Sequence, residues 1–200
     1  SIADEVGPQR SVVQSQITKN SDRVLLYDDF NRSQIGDLAS GQPWSVNGPV
    51  SLDGGGLKGS GRLLTPITLD SNSPVQFECT LWRDVSFNSG IGIYLYWVDD
   101  NNWVRFFQSN GSATIEVSDG GTVSIIASTP SGSRQRNARM RLVATLVPNR
   151  PNINIVKSPF GLFDQVDISS STQTIIDNAT DTGLYLNYGG FIENFYVYNV

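Results

Sequence analysis

Histidine is absent from this 200-residue sequence, and its absence excludes more chemistry than any residue present suggests. Without imidazole there is no Ser-His or Cys-His nucleophile, no His-ligated catalytic metal, and none of the commonest general base. Cysteine occurs once, at Cys79, so the chain cannot form an internal disulfide. In the segment VQFECTLW, alternation groups Cys79 with Val75, Phe77 and Leu81, which predicts a small buried hydrophobe. Lysine is scarce, and no basic run is present among the 14 basic residues. Against 19 acidic residues the net charge is -5, so neither nucleic acid nor an anionic membrane surface is an expected partner. No apolar run approaches the roughly 18 residues that span a bilayer, and membrane insertion is not expected. The sequence shows no signal peptide but opens on Ser1 without a Met, which is consistent with a leader already removed.

What is present falls into two parts. Residues 1–22 are polar and free of aromatics, and read as an N-terminal arm or linker. A short helix over residues 8–19 is compatible with Pro8 in its first turn and Val12, Val13 and Ile17 as a stripe. This part is either a flexible leader or an arm that docks on a neighbouring subunit or larger assembly. From residue 23 to residue 200 the text changes to five- to nine-residue runs of alternating pattern. Examples are VLLYDDF, PVQFECTLW, GIGIYLYWV, ATIEVS, GTVSIIAS, ARMRLVATL and ENFYVYNV. Turn sequences such as DDNN, SDGG and VPNRPN separate them, and no helical periodicity stands out in this region. About ten or more such strands predict an all-β, antiparallel two-sheet sandwich of jelly-roll type.

Several of these segments carry a resemblance. Asp29-Phe30-Asn31-Arg32, followed by Gly41-Gln42-Pro43-Trp44, resembles the opening of concanavalin A-like lectin/glucanase (LamG-like) jelly rolls. SLDGGGLKGSG resembles the Gly-Gly-Leu strand that follows, GIGIYLYWVDDNNWVRF the central hairpin, and GGFIENFYVYNV the closing strand. Such domains are found in phage tail and virion proteins and in secreted bacterial carbohydrate-active proteins. The resemblance implies the sandwich over residues 24–200 and leaves activity open, because this fold hosts many functions.

A glycosidase on this fold needs two carboxyls held about 5–10 Å apart. On one strand, that means acids at i and i+2 or i+4. None of the 19 acids makes such a trio: Asp28-Asp29 and Asp99-Asp100 are adjacent, and Asp164 and Asp167 have the wrong parity. A non-enzymatic protein is therefore expected.

The aromatic hairpin is the richest segment. With DDNN as a four-residue loop, Val98 faces Trp103, Tyr96 faces Arg105 and Tyr94 faces Phe107. Ile91, Ile93, Leu95, Trp97, Val104 and Phe106 then form a core face, while Tyr94, Tyr96, Val98, Trp103, Arg105 and Phe107 look outward. Alternation also turns Glu78 and Trp82 outward from one neighbouring strand and Arg141 from another, with Met140, Leu142, Ala144 and Leu146 as core. If these strands share a sheet, Tyr94, Tyr96, Trp103, Arg105, Phe107, Trp82, Glu78 and Arg141 make a ligand-binding surface suited to sugars. The alternatives are that the arm or the long loop 36–61 covers the rings, or that they form an oligomer interface.

One candidate metal site emerges. Asp28 and Asp29 are read as opening the first body strand, Glu193 lies in the last, and first and last strands often pair, so the three carboxylates could bind a structural calcium ion. The alternative is solvated acids or a salt bridge to Arg23 or Arg32. Asp177 and Asp181 form a weaker candidate, and no cofactor is required. The expected function is a structural and binding module of a phage or virus particle that presents a surface to a glycan or cell-surface receptor. Residues 1–22 would contact other virion subunits, and the location would be the virion or the extracellular space. A purely structural decoration protein and a secreted bacterial carbohydrate-binding module or glycosidase are the rival readings.

Overall fold

The computed structural model describes residues 23–69, 74–83, 90–108, 113–128, 140–147, 152–158, 162–163, 166, 168–187 and 190–199. For residues 82–83, 140–147, 152–158 and 162–163 only the backbone is described. The proposed helix at 8–19, the VPNRPN turn and the Asp164–Asp167 pair lie outside the described residues.

The period-2 runs all form strands. In chain order they are β1 (Val24–Asp28), β2 (Ser45–Asn47), β3 (Val50–Leu52), β4 (Leu57–Gly59) and β5 (Gly61–Pro66). Next come β6 (Val75–Arg83), β7 (Gly90–Asp99), β8 (Asn102–Gln108), β9 (Ala113–Asp119) and β10 (Thr122–Ser128). The rest are β11 (Met140–Val147), β12 (Asn152–Ser158), β13 (Leu162–Phe163), β14 (Asp181–Asn187) and β15 (Gly190–Asn199). One sheet runs β13-β12-β11-β6-β15-β4-β3, with β1 also paired to β15; the other runs β10-β9-β8-β7-β14-β5-β2. All pairings are antiparallel. The expected two-sheet sandwich is the observed one.

Its core is the inner face of both sheets. Phe77, Cys79 and Leu81 of β6 and Phe195 and Val197 of β15 meet Ile91, Ile93, Val104, Phe106, Ile115 and Leu184. Cys79 is fully buried, as its alternation pattern predicts, and burial pushes its thiol pKa up.

Three expectations about this frame are corrected. A helix does occur in the body: α1 (Ser170–Asn178), capped by the Ser169 hydroxyl accepting from Thr172 N at 3.2 Å. It buries Thr172 and Ile175, and Ile175 joins the main core. Second, loop 36–61 is no cover for the rings, because it supplies β2 to one sheet and β3-β4 to the edge of the other. Third, β6 and β11 do not share a sheet with β7 and β8.

The motif behind the family resemblance is a clamp. Asp28 turns its carboxylate inward at the end of β1, where it is wholly buried. One oxygen accepts from Phe30 N (2.9 Å) and Arg32 Nη1 (2.6 Å); the other accepts from Arg32 Nη2 (2.8 Å) and Trp44 Nε1 (2.7 Å). Phe30 takes a positive φ of 52° to make this turn, and its ring stacks on Trp44, which in turn meets Phe195 of β15. The bond to Asp28 holds the Arg32 proton more firmly than usual.

This geometry lends the calcium site no support. Four donors already occupy the Asp28 oxygens, Asp29 accepts from Asn31 N at 3.1 Å, and Glu193 is buried on β15. Among the described residues no three acidic, Cys or His side chains gather as a metal group. Asp177 and Asp181 accept from Gln173 and Thr180 instead. The salt-bridge alternative, to Arg32, is what the structure holds.

Candidate functional site on the outer face of the seven-stranded sheet

The hairpin turn is tighter than four residues. Asp99 pairs with Asn102, leaving Asp100 and Asn101 as a two-residue loop, and the register becomes Trp97 to Trp103, Tyr96 to Val104 and Tyr94 to Arg105. Register shifts fall between Tyr94 and Tyr96 and between Trp97 and Asp99. The first shift reverses the parity of everything beyond it. Leu95 and Tyr96 both enter the main core, where Tyr96 meets Phe77 edge to face at 5.9 Å. Trp97 goes the other way, into an outer cluster with Leu64, Tyr94 and Trp103, while Val98 packs on the core. Tyr96 and Val98 are thus core-side rather than outward, and Trp97 is outward rather than core.

The Tyr96 hydroxyl is buried with no hydrogen-bond partner among the described residues, and burial raises its pKa. An orphaned buried hydroxyl is destabilising by roughly 1–3 kcal/mol. Tyr96→Phe is therefore expected to raise the melting temperature by several degrees, read by thermal unfolding. A drop would mean that the hydroxyl has a role this burial does not reveal.

Cross-strand register arranges the outer face in three rows. The first runs Thr114, Phe107, Gly92, Tyr185, Arg62, Asn47; the second Glu116, Arg105, Tyr94, Gly183, Leu64, Ser45; the third Ser118, Trp103, Trp97, Asp181, Pro66. The two glycines are required by close approach. A Cβ at Gly92 would stand 2.7 Å from Phe106 O, and one at Gly183 would run into the Leu63 carbonyl of β5. Over Gly92 the Phe107 and Tyr185 rings meet, centroids 5.8 Å apart.

Arg105 is the centre of this surface. Its guanidinium lies 4.6 Å from the Trp103 and Phe107 ring centroids, 4.8 Å from Tyr185 and 5.8 Å from Tyr94. Its Nε and Nη2 donate to one Glu116 oxygen at 2.9 and 2.7 Å. Desolvation raises the Tyr94 phenol pKa, with Arg105 opposing the shift. The rings therefore face outward, as expected of Tyr94, Trp103 and Phe107, yet two of them are almost wholly screened: Tyr94 is 4% exposed and Trp103 7%. Among the described residues, Arg105 lies over both rings.

A second arginine repeats the arrangement at lower burial. Arg62 lies 4.5 Å over the Trp97 ring and donates from Nη1 to Asp100 at 2.8 Å. Asp100 sits at the loop tip, held there because the β7–β8 turn is stitched to the Gly120–Gly121 turn. Gly121 N and the Ser118 hydroxyl both donate to Asn101 O, at 2.9 and 2.7 Å. Asn47, Arg62, Trp97, Asp100 and Tyr185 were missed in the sequence; the alternation of GRLLTP and TGLYLN already set Arg62 and Tyr185 opposite their core leucines.

The remaining sequence candidates belong elsewhere. Glu78, Trp82 and Arg141 lie on β6 and β11 of the opposite sheet, so they cannot join Trp103 in one surface. Glu78 alternates with core Phe77 and Cys79 and so faces away from the core as read, but on the outer face of the other sheet, where it is buried and accepts from the Tyr198 hydroxyl at 3.2 Å. Arg141 pairs along the backbone with Thr80 and Ser158.

No family model matches the chain, and no curated protein matches it. Solved structures do. A structure of botulinum neurotoxin type C, which enters cells through an interaction with two ganglioside molecules, aligns at 14% identity with a TM-score of 0.62, over 91% of this chain and 49% of that one. The binding domain of botulinum neurotoxin DC in complex with rat synaptotagmin II aligns at 12% identity and a TM-score of 0.60, over 88% and 48%. The carbohydrate-binding module CBM66 from Bacillus subtilis aligns at 14% identity and a TM-score of 0.53, over 76% and 91%. The chain shares their sandwich fold. It spans about half the length of the toxin chains and most of the length of the module.

Proposed function

We propose that this chain is a non-enzymatic binding module that recognises a glycan or cell-surface receptor through the outer face of its seven-stranded sheet. The observation that carries this reading is the composition of that face. A solvated sheet face needs only small polar residues, whereas this one holds Tyr94, Trp97, Trp103, Phe107 and Tyr185 with Arg62 and Arg105. Rings and guanidinium groups side by side suit ligands with apolar and hydroxylated sides. The named ligands of the structural neighbours, a ganglioside and a protein receptor, are of the same two kinds. Two carboxylates at this face already serve arginines, Glu116 with Arg105 and Asp100 with Arg62, which favours binding over hydrolysis. The setting, a phage or virus particle surface or the extracellular space, rests on the family resemblance of residues 24–200.

A second reading, an interface between copies or with other virion subunits, has its own support. Val123 and Ile125 of edge strand β10 are 53% and 61% exposed. They pair with Ser118 and Glu116, so they extend the same outer face to the sheet edge. One experiment separates the two: glycan-array binding and light scattering on the full chain and on Ile125→Lys. A monomer that binds glycans in both forms supports the first reading. An oligomer that Ile125→Lys dissociates, with no glycan bound, overturns it in favour of the second.

A further inference from the structure

Arg62 differs from Arg105 in one respect that points to a ligand. Arg105 is enclosed by four rings and paired through two N–H groups, whereas Arg62 makes a single hydrogen bond, from Nη1 to one oxygen of Asp100. Among the described residues its Nε and Nη2 donate to nothing. Its acceptor is weakly held, since the Asp100 side chain is 74% exposed, and such surface ion pairs contribute only about 0–1 kcal/mol. The guanidinium carbon lies over the Trp97 ring, 4.5 Å from its centroid, so the fork is placed before anything binds.

We propose that Arg62 is a subsite for the carboxylate of an acidic sugar residue, and that Asp100 holds that place in the free protein. This rests on the glycan-binding reading above and names the ligand class for it. An arginine fork takes a carboxylate through two parallel N–H bonds, a stronger arrangement than the single bond made with Asp100. The neighbours complete a saccharide site. Asn47 of β2 and Tyr185 of β14 flank Arg62 in register, one an exposed amide and the other a half-buried phenol. Beyond Tyr185, the half-buried Phe107 ring extends an apolar shelf for the C–H side of a pyranose. A long polyanion fits poorly, because Asp100 and Glu116 lie on the same face and the chain is acidic overall.

The test is calorimetric titration of the full chain with sialyllactose, a glucuronic-acid-terminated oligosaccharide, a sulfated lactose and lactose itself. Circular dichroism melts would verify that the variants fold. The wild type is expected to bind both carboxylated sugars at least about tenfold more tightly than lactose, and more tightly than the sulfated sugar. Arg62→Gln should erase that preference, bringing the affinity for the carboxylated sugars down to about that for lactose. Asp100→Asn, which removes the competing carboxylate, should raise acidic-sugar affinity severalfold. Lactose binding with no acidic preference, or a preference that survives Arg62→Gln, overturns the subsite and leaves the glycan reading standing. Equal binding of the sulfated sugar overturns the carboxylate assignment. Failure of every sugar to bind overturns the glycan reading and this subsite with it.

Discussion

Asp28→Ala should destabilise the protein by about 3–5 kcal/mol, the range for breaking a buried pair by removing one partner. The substitution deletes the acceptor for four donors at once: Phe30 N, both Arg32 η nitrogens and Trp44 Nε1. Arg32 is 26% exposed and can turn to water, but the Trp44 ring is held between Phe30 and Phe195, so its indole N–H stays aimed at the vacated site. Phe30 would also lose the bond that holds its positive φ. Asp28→Asn is expected to be nearly as harmful, since its amide must present an N–H to a site filled with donors. Trp44→Phe, which removes one donor and keeps a ring, should lose only about 1–2 kcal/mol. Urea unfolding of the three variants tests this ordering. A loss below about 1.5 kcal/mol for Asp28→Ala would show that the clamp is dispensable.

The second large effect is expected at Arg105. Removing its side chain leaves the Glu116 carboxylate, 12% exposed, without its partner, and leaves four rings around a void. A buried pair broken from one side and the lost cation–π contacts together suggest about 3–4 kcal/mol. For a chain of this size that corresponds to a fall of roughly 6–15 °C in melting temperature. Arg105→Lys should recover little, because an ammonium cannot lie flat among the rings or donate twice to Glu116. Arg105→Met with Glu116→Gln should recover most of the loss, since no charge is then stranded. Trp103 lies against the guanidinium, so its fluorescence should change in Arg105→Ala and report the local collapse. If Arg105→Ala melts within about 2 °C of the wild type, the box of rings is not a stability element.

These two clamps also mark how far the sequence could be read. The period-2 runs gave both sheets their strands, and Phe77, Cys79 and Leu81 were correctly assigned to the core from alternation alone. Asp28, Phe30, Arg32 and Trp44 all lay in the segment that carried the family resemblance, but nothing in a linear text says that the acid's donors sit 2, 4 and 16 residues on. In GIGIYLYWV nearly every residue is apolar, so no polar position marks the point where the strand gains a residue. The faces of Tyr96 and Trp97 were therefore exchanged in the reading. DDNN is compatible with a four- or a two-residue connection, and the tighter turn was chosen by Asp99 accepting from Asn101 N and Asn102 Nδ2. Sheet membership was harder still. Alternation assigns a residue to an outer face without saying which sheet owns it, and β6 and β7, consecutive in the chain, lie in different layers. Helix α1 escaped notice because it is nine residues long, largely polar, and buries only Thr172 and Ile175.

The partition into two sheets has a consequence for presentation. The first and last described strands, β1 and β15, are hydrogen-bonded neighbours in the eight-stranded sheet, while the ring-and-arginine surface belongs to the other. The described ends of β1 and β15, with Val24 paired to Tyr198, therefore lie side by side in the layer behind that surface. A tether at either of these ends, whether a natural extension or a surface in a sensor, would hold the domain like a stamp, its handle behind and its printing face forward. Copies anchored side by side would all offer that face in the same direction, so weak single-site contacts could add up to avid attachment.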